Sequence, residues 1–389
     1  MLDAVAQKDV PMTSKKDKLQ GQWVGSANGS NSGMVVLDLD ELEDGYEGHA
    51  YLYDEAPGLP NVVARIELGN KGVIHEKITC EVFPIHPSLP LRLSALDLAQ
   101  DFPQVSFPQF VNIDLRLESD GIHASWETNI GTSGSAVLGF SQSQEPSQVD
   151  VLPDVSDWVA FKSYALGLKP REFIFRGQDK PYRLRTSFHR TRRKDLIKYL
   201  LDDIPNALHV LTSQTKHFFD LNDNRQNGAF YNLLQHHGYP TPLLDWTYSP
   251  FVAAFFAFRF RRNRASNDKN VRILMFDKSG WEDTFASTLS IAHARPHFSL
   301  LEPLSIENLR ALPQQSVSSV TNMDDVESHI QMGERIQGRK FLYAVDLPFS
   351  ERRKVMQELS LMGITAGSLF PGLDGACEEL RGRFFHPFD

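Results

Sequence analysis

The segment 235–250 holds side chains whose types and spacing could do chemistry. It reads QHHGYPTPLLDWTYSP and supplies imidazole, phenol, carboxylate, indole and hydroxyl groups within one turn-rich stretch. Polar groups on a loop held between regular elements are typical of ligand sites. The same residues could form an ordinary connection between two helices, in which Asp245 and Ser249 satisfy backbone amides. The sequence alone leaves both interpretations open.

The paired histidines His236 and His237 are weak candidates for a metal site. Adjacent residues on a helix point about 100° apart, and no Cys or further His lies nearby to complete a ligand set. We therefore expect no metal, and a histidine that lies beside the negative end of the helix dipole. One of the pair, assigned here as His236, could still donate a hydrogen bond to a ligand.

Arg176 is the second candidate for chemistry. The short apolar run 173–175 predicts a buried strand that ends in Arg176 and Gly177. A planar guanidinium held by a strand suits phosphate or pyrophosphate, and a glycine lets backbone or ligand approach closely. The alternative is a buried arginine bonded to carbonyl groups or to Asp245.

The elements around these residues predict an α+β second half. A helix over 227–237 should end at Gly238, and Ser249 followed by Pro250 should begin the next helix. That helix, 251–260, is apolar nearly all round and should be buried. Further predicted elements are a helix capped by Ser156 or Asp157, a partly helical stretch over 191–211 interrupted near Pro205, strands over 271–277 and 340–347, and a helix over 352–361.

The first half reads as strands. Apolar and polar residues alternate in several runs, and Asp44-Gly45 and Asp120-Gly121 mark tight turns between paired strands. The pattern predicts a small antiparallel sandwich or barrel with a structural or partner-docking role. The predicted strands are 34–40, 46–53, 62–68, 110–117 and 122–126.

Composition sets the domain organisation. A chain of 389 residues with 41% hydrophobic and 23% charged residues is typical of a two-domain globular protein. We predict a disordered N-terminus over 1–18, a β domain over 19–141, a Ser/Gln/Pro-rich linker over 142–155 and a second domain over 156–389. The two cysteines and the lack of a signal peptide or apolar span favour the cytoplasm and no membrane partner.

Charge divides unevenly between the halves. Residues 1–150 carry 9 Lys/Arg against 22 Asp/Glu, a net charge of −13, and residues 151–389 carry 31 against 27, a net of +4. Only the second half would attract an anion, and the acidic first half could meet a protein partner. The basic residues near 183–194 and 259–264 are expected to form solvated faces, so nucleic acid is an improbable partner.

Several motifs of the second half resemble those of the FRG domain family, named for Phe-Arg-Gly. They are Phe175-Arg176-Gly177-Gln178, Tyr182, Ser187, Gln235 to Thr241, Leu243 to Thr247, and the closing run Leu369 to Gly375. Their order in turn is similar to that of ADP-ribosyltransferases, which implies a related fold with NAD as substrate. Two motifs depart from the family pattern. Pro242 stands where an Arg is usual, and Arg339, Phe341 and Tyr343 stand where a Gln-x-Gly-x-Phe strand is usual.

The resemblance implies roles for individual residues. Arg176 would hold a phosphate or ribose, Thr247 or Ser249 would support the ribose, and Glu334 would be the catalytic carboxylate on a late strand or loop. Tyr239 or Trp246 would stack on a ring. The expected catalytic residues are Arg176, Ser249 and Glu334, and the expected NAD contacts are Arg176, Gly177, Gln178, His236, Tyr239, Asp245, Trp246 and Thr247.

Two functions remain open at this point. One is an ADP-ribosyltransferase or NAD-cleaving effector, a chemistry that would suit stress response or phage defence. The other is a non-catalytic module that binds a nucleotide or a protein.

Overall fold

The computed structural model describes residues 19–69, 75–259 and 269–385. The chain divides into two compact units: Met1–Phe140 with Arg192–Asp195, and Ser141–Thr191 with Leu196–Asp389. The predicted disordered segment 1–18 and most of the basic run 259–264 lie outside the described residues. No helix in the described part of the chain combines the length and apolar character needed to cross a membrane.

The first unit is a closed barrel of eight antiparallel strands. Each strand pairs with the next along the chain, and the last also pairs with the first, so that Ala27 faces Ala136. The predicted antiparallel β domain is thus confirmed, and of its two forms the barrel is the one observed. The strands are β1 (Gly21–Gly29), β2 (Gly33–Glu41), β3 (Tyr46–Asp54), β4 (Asn61–Leu68), β5 (His75–Ile85), β6 (Phe110–Glu118), β7 (Gly121–Thr128) and β8 (Ser133–Gly139).

Three of these strands, β1, β5 and β8, were not predicted. β1 and β8 are rich in Gly and Ser, which lack the β-branched character that marks a strand in sequence. β5 carries charged residues on its exposed face and a proline near its end. Closure of the barrel supplies their pairing partners, which is tertiary information that the local sequence does not contain. A short helix, α1 (Ala95–Asp101), lies in the connection between β5 and β6, with Ser94 and Asp97 forming a capping box.

The second unit is built on an antiparallel sheet of six strands in the order β12-β13-β10-β9-β11-β14. Predicted strands 271–277 and 340–347 correspond to β11 and β14, whereas β10, β12 and β13 were not predicted. β10 lies within 235–250, so the expectation that this whole stretch is turn-rich is wrong for 243–247. The strands are β9 (Phe173–Gln178), β10 (Leu243–Thr247), β11 (Asn270–Asp277), β12 (Phe298–Leu301), β13 (Ser316–Thr321) and β14 (Leu342–Pro348).

Helices surround this sheet, and several begin and end where the sequence predicts. Asp157 caps α2, Ser249 caps α6 with Pro250 in its first turn, and Gly238 follows α5 with a left-handed φ of 85°. The helices are α2 (Trp158–Leu166), α3 (Leu196–Lys198), α4 (Ile204–Leu211), α5 (Asn224–His236), α6 (Pro250–Phe258), α7 (Lys278–Glu282), α8 (Val326–Gln337), α9 (Arg352–Leu361), α10 (Ala366–Leu369) and α11 (Leu373–Phe385). A π-helical stretch, Tyr199–Asp203, joins α3 to α4.

Gly177 is required by the packing of α6 against β9. A Cβ at Gly177 would lie 1.9 Å from the carbonyl oxygen of Ala253 and 2.7 Å from the backbone nitrogen of Ala257. The close approach for which glycine is needed is therefore that of a buried helix to the strand. The apolar surface of α6 explains why this helix packs against β9, since Val252, Ala254 and Phe255 are all buried in the same core.

The segment predicted as a linker, 142–155, packs onto the second unit. Ser143 donates a hydrogen bond to Asp324 over 2.8 Å, and Val149 is buried in the core. The amide of Leu152 bonds to the carbonyl of Ala344 on β14 over 2.8 Å. This segment makes regular contacts with the sheet of its own unit.

Candidate functional site

Arg176 stands near the end of β9 and makes one hydrogen bond among the described residues. Its Nη1 donates to the backbone carbonyl of Asp245 over 2.6 Å, which is a contact that the alternative of a structural arginine predicts. Its Nε is inaccessible to solvent and has no hydrogen-bond partner among the described residues. Burial lowers the pKa of the guanidinium, and the negative charge of Asp245 opposes that effect. No ion pair joins Arg176 to Asp245 in the described structure, because the contact is to the backbone and not to the carboxylate.

The carboxylate of Asp245 is held by α5 instead. Gln235 donates to its Oδ1 over 2.6 Å, and the side-chain Oε1 of Gln235 accepts from the hydroxyl of Thr241. These bonds join the end of α5, the following turn and β10, and the backbone of Asp245 contacts Arg176. Convergence of Arg176 and the Tyr239–Ser249 segment on one cleft stays a prediction.

Arg190 is a second positively charged side chain close to Arg176, and together they form a positive region. Desolvation by the surrounding protein, together with the positive charges of Arg176 and Arg185, lowers the pKa of Arg190 to about 10. Arg185 pairs with Asp324 over 2.6 Å and is thereby neutralised, while Nη1 of Arg190 bonds to the carbonyl of Arg185 over 2.9 Å. Two guanidinium groups, Arg176 and Arg190, thus share the single carboxylate of Asp245, which leaves excess positive charge.

Two further polar side chains, Gln178 and His236, lie near Arg176 and Asp245 and each have one buried atom without a hydrogen-bond partner in the described part of the chain. Gln178 projects from the same face of β9 as Arg176, because residues two apart on a strand share a face. Its Oε1 is buried and without a partner in the described part of the chain. Nε2 of His236, the last residue of α5, is likewise buried and unpaired there. Burial lowers the pKa of His236, opposed by the charge of Asp245, so its neutral form is favoured.

Thr247, Ser249 and Trp246 use their polar groups inside the fold. The hydroxyl of Thr247 donates to the carbonyl of Gln314 over 2.7 Å, and Ser249 accepts from the amide of Val252 as the cap of α6. The indole of Trp246 is buried and donates to the hydroxyl of Ser319 over 2.9 Å. All three therefore hold β10 and α6 in place, which in turn positions Asp245.

Tyr239 lies half-buried beside an aromatic cluster. Its ring centroid is 6.5 Å from that of Tyr199, whose hydroxyl donates to the carbonyl of Pro240 over 2.9 Å. The turn that carries Tyr239 is thus anchored at its neighbouring residue.

Glu334 is placed differently from the late strand or loop that the resemblance implies. It lies on α8, and it is buried with 5% of its surface exposed. Its Oε1 accepts from the amides of Phe341 and Leu342 over 2.8 and 2.9 Å, and its Oε2 pairs with Lys340 over 3.1 Å. These contacts tie the end of α8 to the start of β14. No hydrogen bond or ion pair joins Glu334 to Arg176 within the described ranges.

The expectation of a solvated basic face is wrong for Arg183 and Arg185. The side chain of Arg183 is 1% exposed and pairs with Asp325 over 2.8 Å, and Arg185 pairs with Asp324. Both acidic partners precede α8, where the sequence shows no pattern that predicts such pairs. The site member that sequence reasoning passed over is Arg190, which lies in the same basic run. Arg190 differs from Arg183 and Arg185 because those two form ion pairs with Asp325 and Asp324, which the sequence does not show.

Comparison with known families agrees with the motifs between Phe175 and Thr247, whereas the closing run Leu369 to Gly375 lies outside the matched residues and stays a prediction. Residues 171–267 match the family model of the FRG domain. The chain contains an FRG domain. The matched region includes Arg176, Arg190, His236 and Asp245, so the positive region described above lies within it. No curated protein and no solved structure matches the chain.

Proposed function

We propose that the FRG domain binds NAD or a related nucleotide, with a phosphate group at Arg176. The observation that carries the proposal is the unpaired Nε of a buried guanidinium that has one carbonyl as its partner. Two guanidinium groups that share one carboxylate leave excess positive charge around the buried Arg176, and a phosphate oxygen supplies both the balancing charge and the missing acceptor.

The surroundings of Arg176 support a nucleotide over a simple anion. Arg190 adds a second positive charge, so a diphosphate is better matched than a single carboxylate. Gln178 offers an acceptor and His236 a ring nitrogen. Ribose hydroxyls and a base can use such groups, because they offer several donors and acceptors besides the phosphates.

Binding without turnover is the form of this function that the contacts favour. Cleavage of the nicotinamide–ribose bond needs a carboxylate to stabilise the positively charged transition state. Glu334 has three partners elsewhere in the fold, and Asp245 is held by Gln235. The motif order implies a fold related to that of ADP-ribosyltransferases, and we propose that the domain shares their ligand binding but not their catalysis.

Calorimetric titration of the full chain with NAD and ADP-ribose tests the proposal. We expect one site, and we expect Arg176→Ala to weaken binding by about a hundredfold through loss of a charge-assisted pair. Arg353→Ala, at an exposed position on α9, is the matched control and should bind as the wild type does. Unfolding curves of both variants establish that each is folded.

Three outcomes would contradict the proposal. If the folded wild type does not bind, the proposal of a nucleotide ligand is wrong. If Arg176→Ala binds with unchanged affinity, the proposed site at Arg176 is wrong. Nicotinamide release from NAD by the wild type, lost in folded Glu334→Gln, would replace binding by catalysis.

A further inference from the structure

The interior of the barrel is filled unevenly along its axis. At the end that holds the β2–β3 and β6–β7 turns, large side chains such as Trp23, Leu39 and Tyr46 are buried together. At mid-height the inward positions are small: Ala50 pairs with Ala64 across β3 and β4, and Ala124 pairs with Ala136 across β7 and β8. Alanines at neighbouring positions cannot fill an eight-stranded barrel, whose interior needs larger side chains.

A cavity of about 190 Å³ results from this arrangement. Its walls are apolar side chains from most of the strands, including Leu37, Leu52, Ile113 and Trp126. Protein interiors are otherwise close-packed, and voids of this size are rare because the lining atoms lose contacts. The cavity is therefore a feature to be explained by a ligand that restores those contacts.

The other end of the barrel gives access. Four connections meet there: 30–32, 55–60, 86–109 and 129–132, which follow β1, β3, β5 and β7. Phe107, in the longest of them, is half-buried against the barrel core and lines the cavity. At the rim, hydroxyl groups of Thr128 and Thr132 bond to each other over 2.7 Å.

The lining chemistry selects an uncharged ligand. None of the described lining residues is Lys, Arg or His, so a carboxylate or phosphate on the ligand would have no counter-ion. Asp54, the charged lining residue among those described, accepts from the amide of Ala56 over 2.7 Å and from Asn31. Residues 1–150 carry a net charge of −13, which further opposes an anion.

We propose that the barrel binds a small uncharged aromatic molecule of one or two rings. A cavity of roughly 150 Å³ lined by apolar side chains is known to accept benzene, and this one is somewhat larger. The rings of Trp126 and Phe107 in its wall favour an aromatic guest, because ring pairs add to the gain from burial. This site is independent of the nucleotide proposed for the FRG domain.

Titration of the full chain with naphthalene, followed by calorimetry, tests the proposal directly. The matched anionic probe is 2-naphthoate, which keeps the two rings and adds a carboxylate. We expect naphthalene to bind and 2-naphthoate to bind about tenfold more weakly, or worse, because burial of an unpaired charge is unfavourable.

Two filling variants locate the site. Ala64→Phe and Ala124→Leu place new side chains in the cavity from opposite walls, and each should weaken naphthalene binding by about tenfold. Val137→Phe, at an exposed position on β8, is the matched control and should leave the affinity unchanged. Urea unfolding of each variant shows that the barrel is intact, and two separate positions guard against one that does not fold.

Absence of naphthalene binding by the wild type would overturn the proposal. Wild-type affinity in both folded filling variants would place the ligand elsewhere, with the same consequence. Equal affinity for 2-naphthoate would overturn the assignment of an uncharged guest.

Discussion

Arg176 and Glu334 are both buried charged side chains of the second unit, and they differ in how many of their polar atoms have hydrogen-bond partners. Glu334 has its two carboxylate oxygens occupied by two backbone amides and by Lys340. Arg176 has one carbonyl partner and a buried Nε with none among the described residues. The difference teaches that burial and motif position alone do not separate a structural charge from a candidate ligand-binding charge; the unpaired Nε is the reason for proposing Arg176 as the second kind.

Removal of the Glu334 carboxylate should have the largest effect, and on stability alone. Glu334→Ala leaves two buried amides without partners and removes one of the two carboxylates that pair with Lys340, the other being Asp150. The free energy of unfolding should therefore fall by about 3 kcal/mol in urea titrations. The nucleotide affinity of the folded variant should match the wild type. Glu334→Gln keeps one acceptor oxygen and should lose less. A stable Glu334→Ala chain that fails to bind NAD would reverse the roles of the two residues.

Acid should destabilise the second unit through its buried histidines. Burial lowers the pKa of both His297 and His329 to about 4, below the usual value of about 6.5 for an unfolded chain. Folding therefore favours the neutral forms, and the stability they contribute is complete above pH 6.5 and lost as the pH falls toward 4. The loss should be on the order of 2 kcal/mol for each, measured by urea unfolding across this range. A flat profile in wild type would contradict this prediction, and His209→Gln, at an exposed position, should keep the wild-type slope.

Loss of Arg190 should have a smaller effect on the same ligand as Arg176. Arg190→Gln removes one of two positive charges at a more exposed position, so nucleotide affinity should fall by about tenfold and depend less on salt. Calorimetry at low and high salt measures both quantities. An effect equal to that of Arg176→Ala would show that the two guanidinium groups act as one unit.

The cap of α6 should matter to stability and little to binding. Ser249→Ala removes the acceptor for the amide of Val252 and should lower the free energy of unfolding by about 1 kcal/mol. Ser249→Asp keeps a capping oxygen and should retain most of the stability. If Ser249→Ala instead abolished nucleotide binding in a folded chain, the hydroxyl would belong to the ligand site.

Removal of the Arg176 guanidinium should cost the least stability of these changes. Arg176→Met keeps much of the apolar stem and removes a buried charge that forms no ion pair among the described residues, so the free energy of unfolding should change by less than about 1 kcal/mol. Urea titration beside Glu334→Ala makes the comparison direct. A loss as large as that of Glu334→Ala would mean that Arg176 is a structural residue.

Local signals in the sequence were sufficient for much of this fold. Gly238, Ser249 with Pro250, and Asp157 mark helix boundaries through backbone rules that depend on a few adjacent residues. The alternation in β2 and β6 predicts strands for the same reason. By contrast β1 and β8 become strands because the barrel closes, which no local pattern encodes.

The candidate site was predictable only in part. The Phe-Arg-Gly motif led to Arg176, and its bond to a carbonyl was anticipated as the alternative of a structural arginine. Partners distant in sequence decided the remainder. Asp324 and Asp325 neutralise Arg185 and Arg183 and leave Arg190 with free charge, and residues at the start of β14 occupy Glu334. Hydrogen-bond satisfaction is a property of the assembled fold, so a single sequence cannot supply it.

A crystal structure of the full chain with NAD bound is the most direct test of the nucleotide site. We predict a phosphate oxygen within hydrogen-bond distance of the Arg176 guanidinium, roughly 3 Å, with Arg190 turned toward the diphosphate. Glu334 should keep its bonds to the amides of Phe341 and Leu342. A nucleotide bound elsewhere, with Arg176 still hydrogen-bonded to the carbonyl of Asp245 alone, would contradict the proposal that Arg176 binds a phosphate.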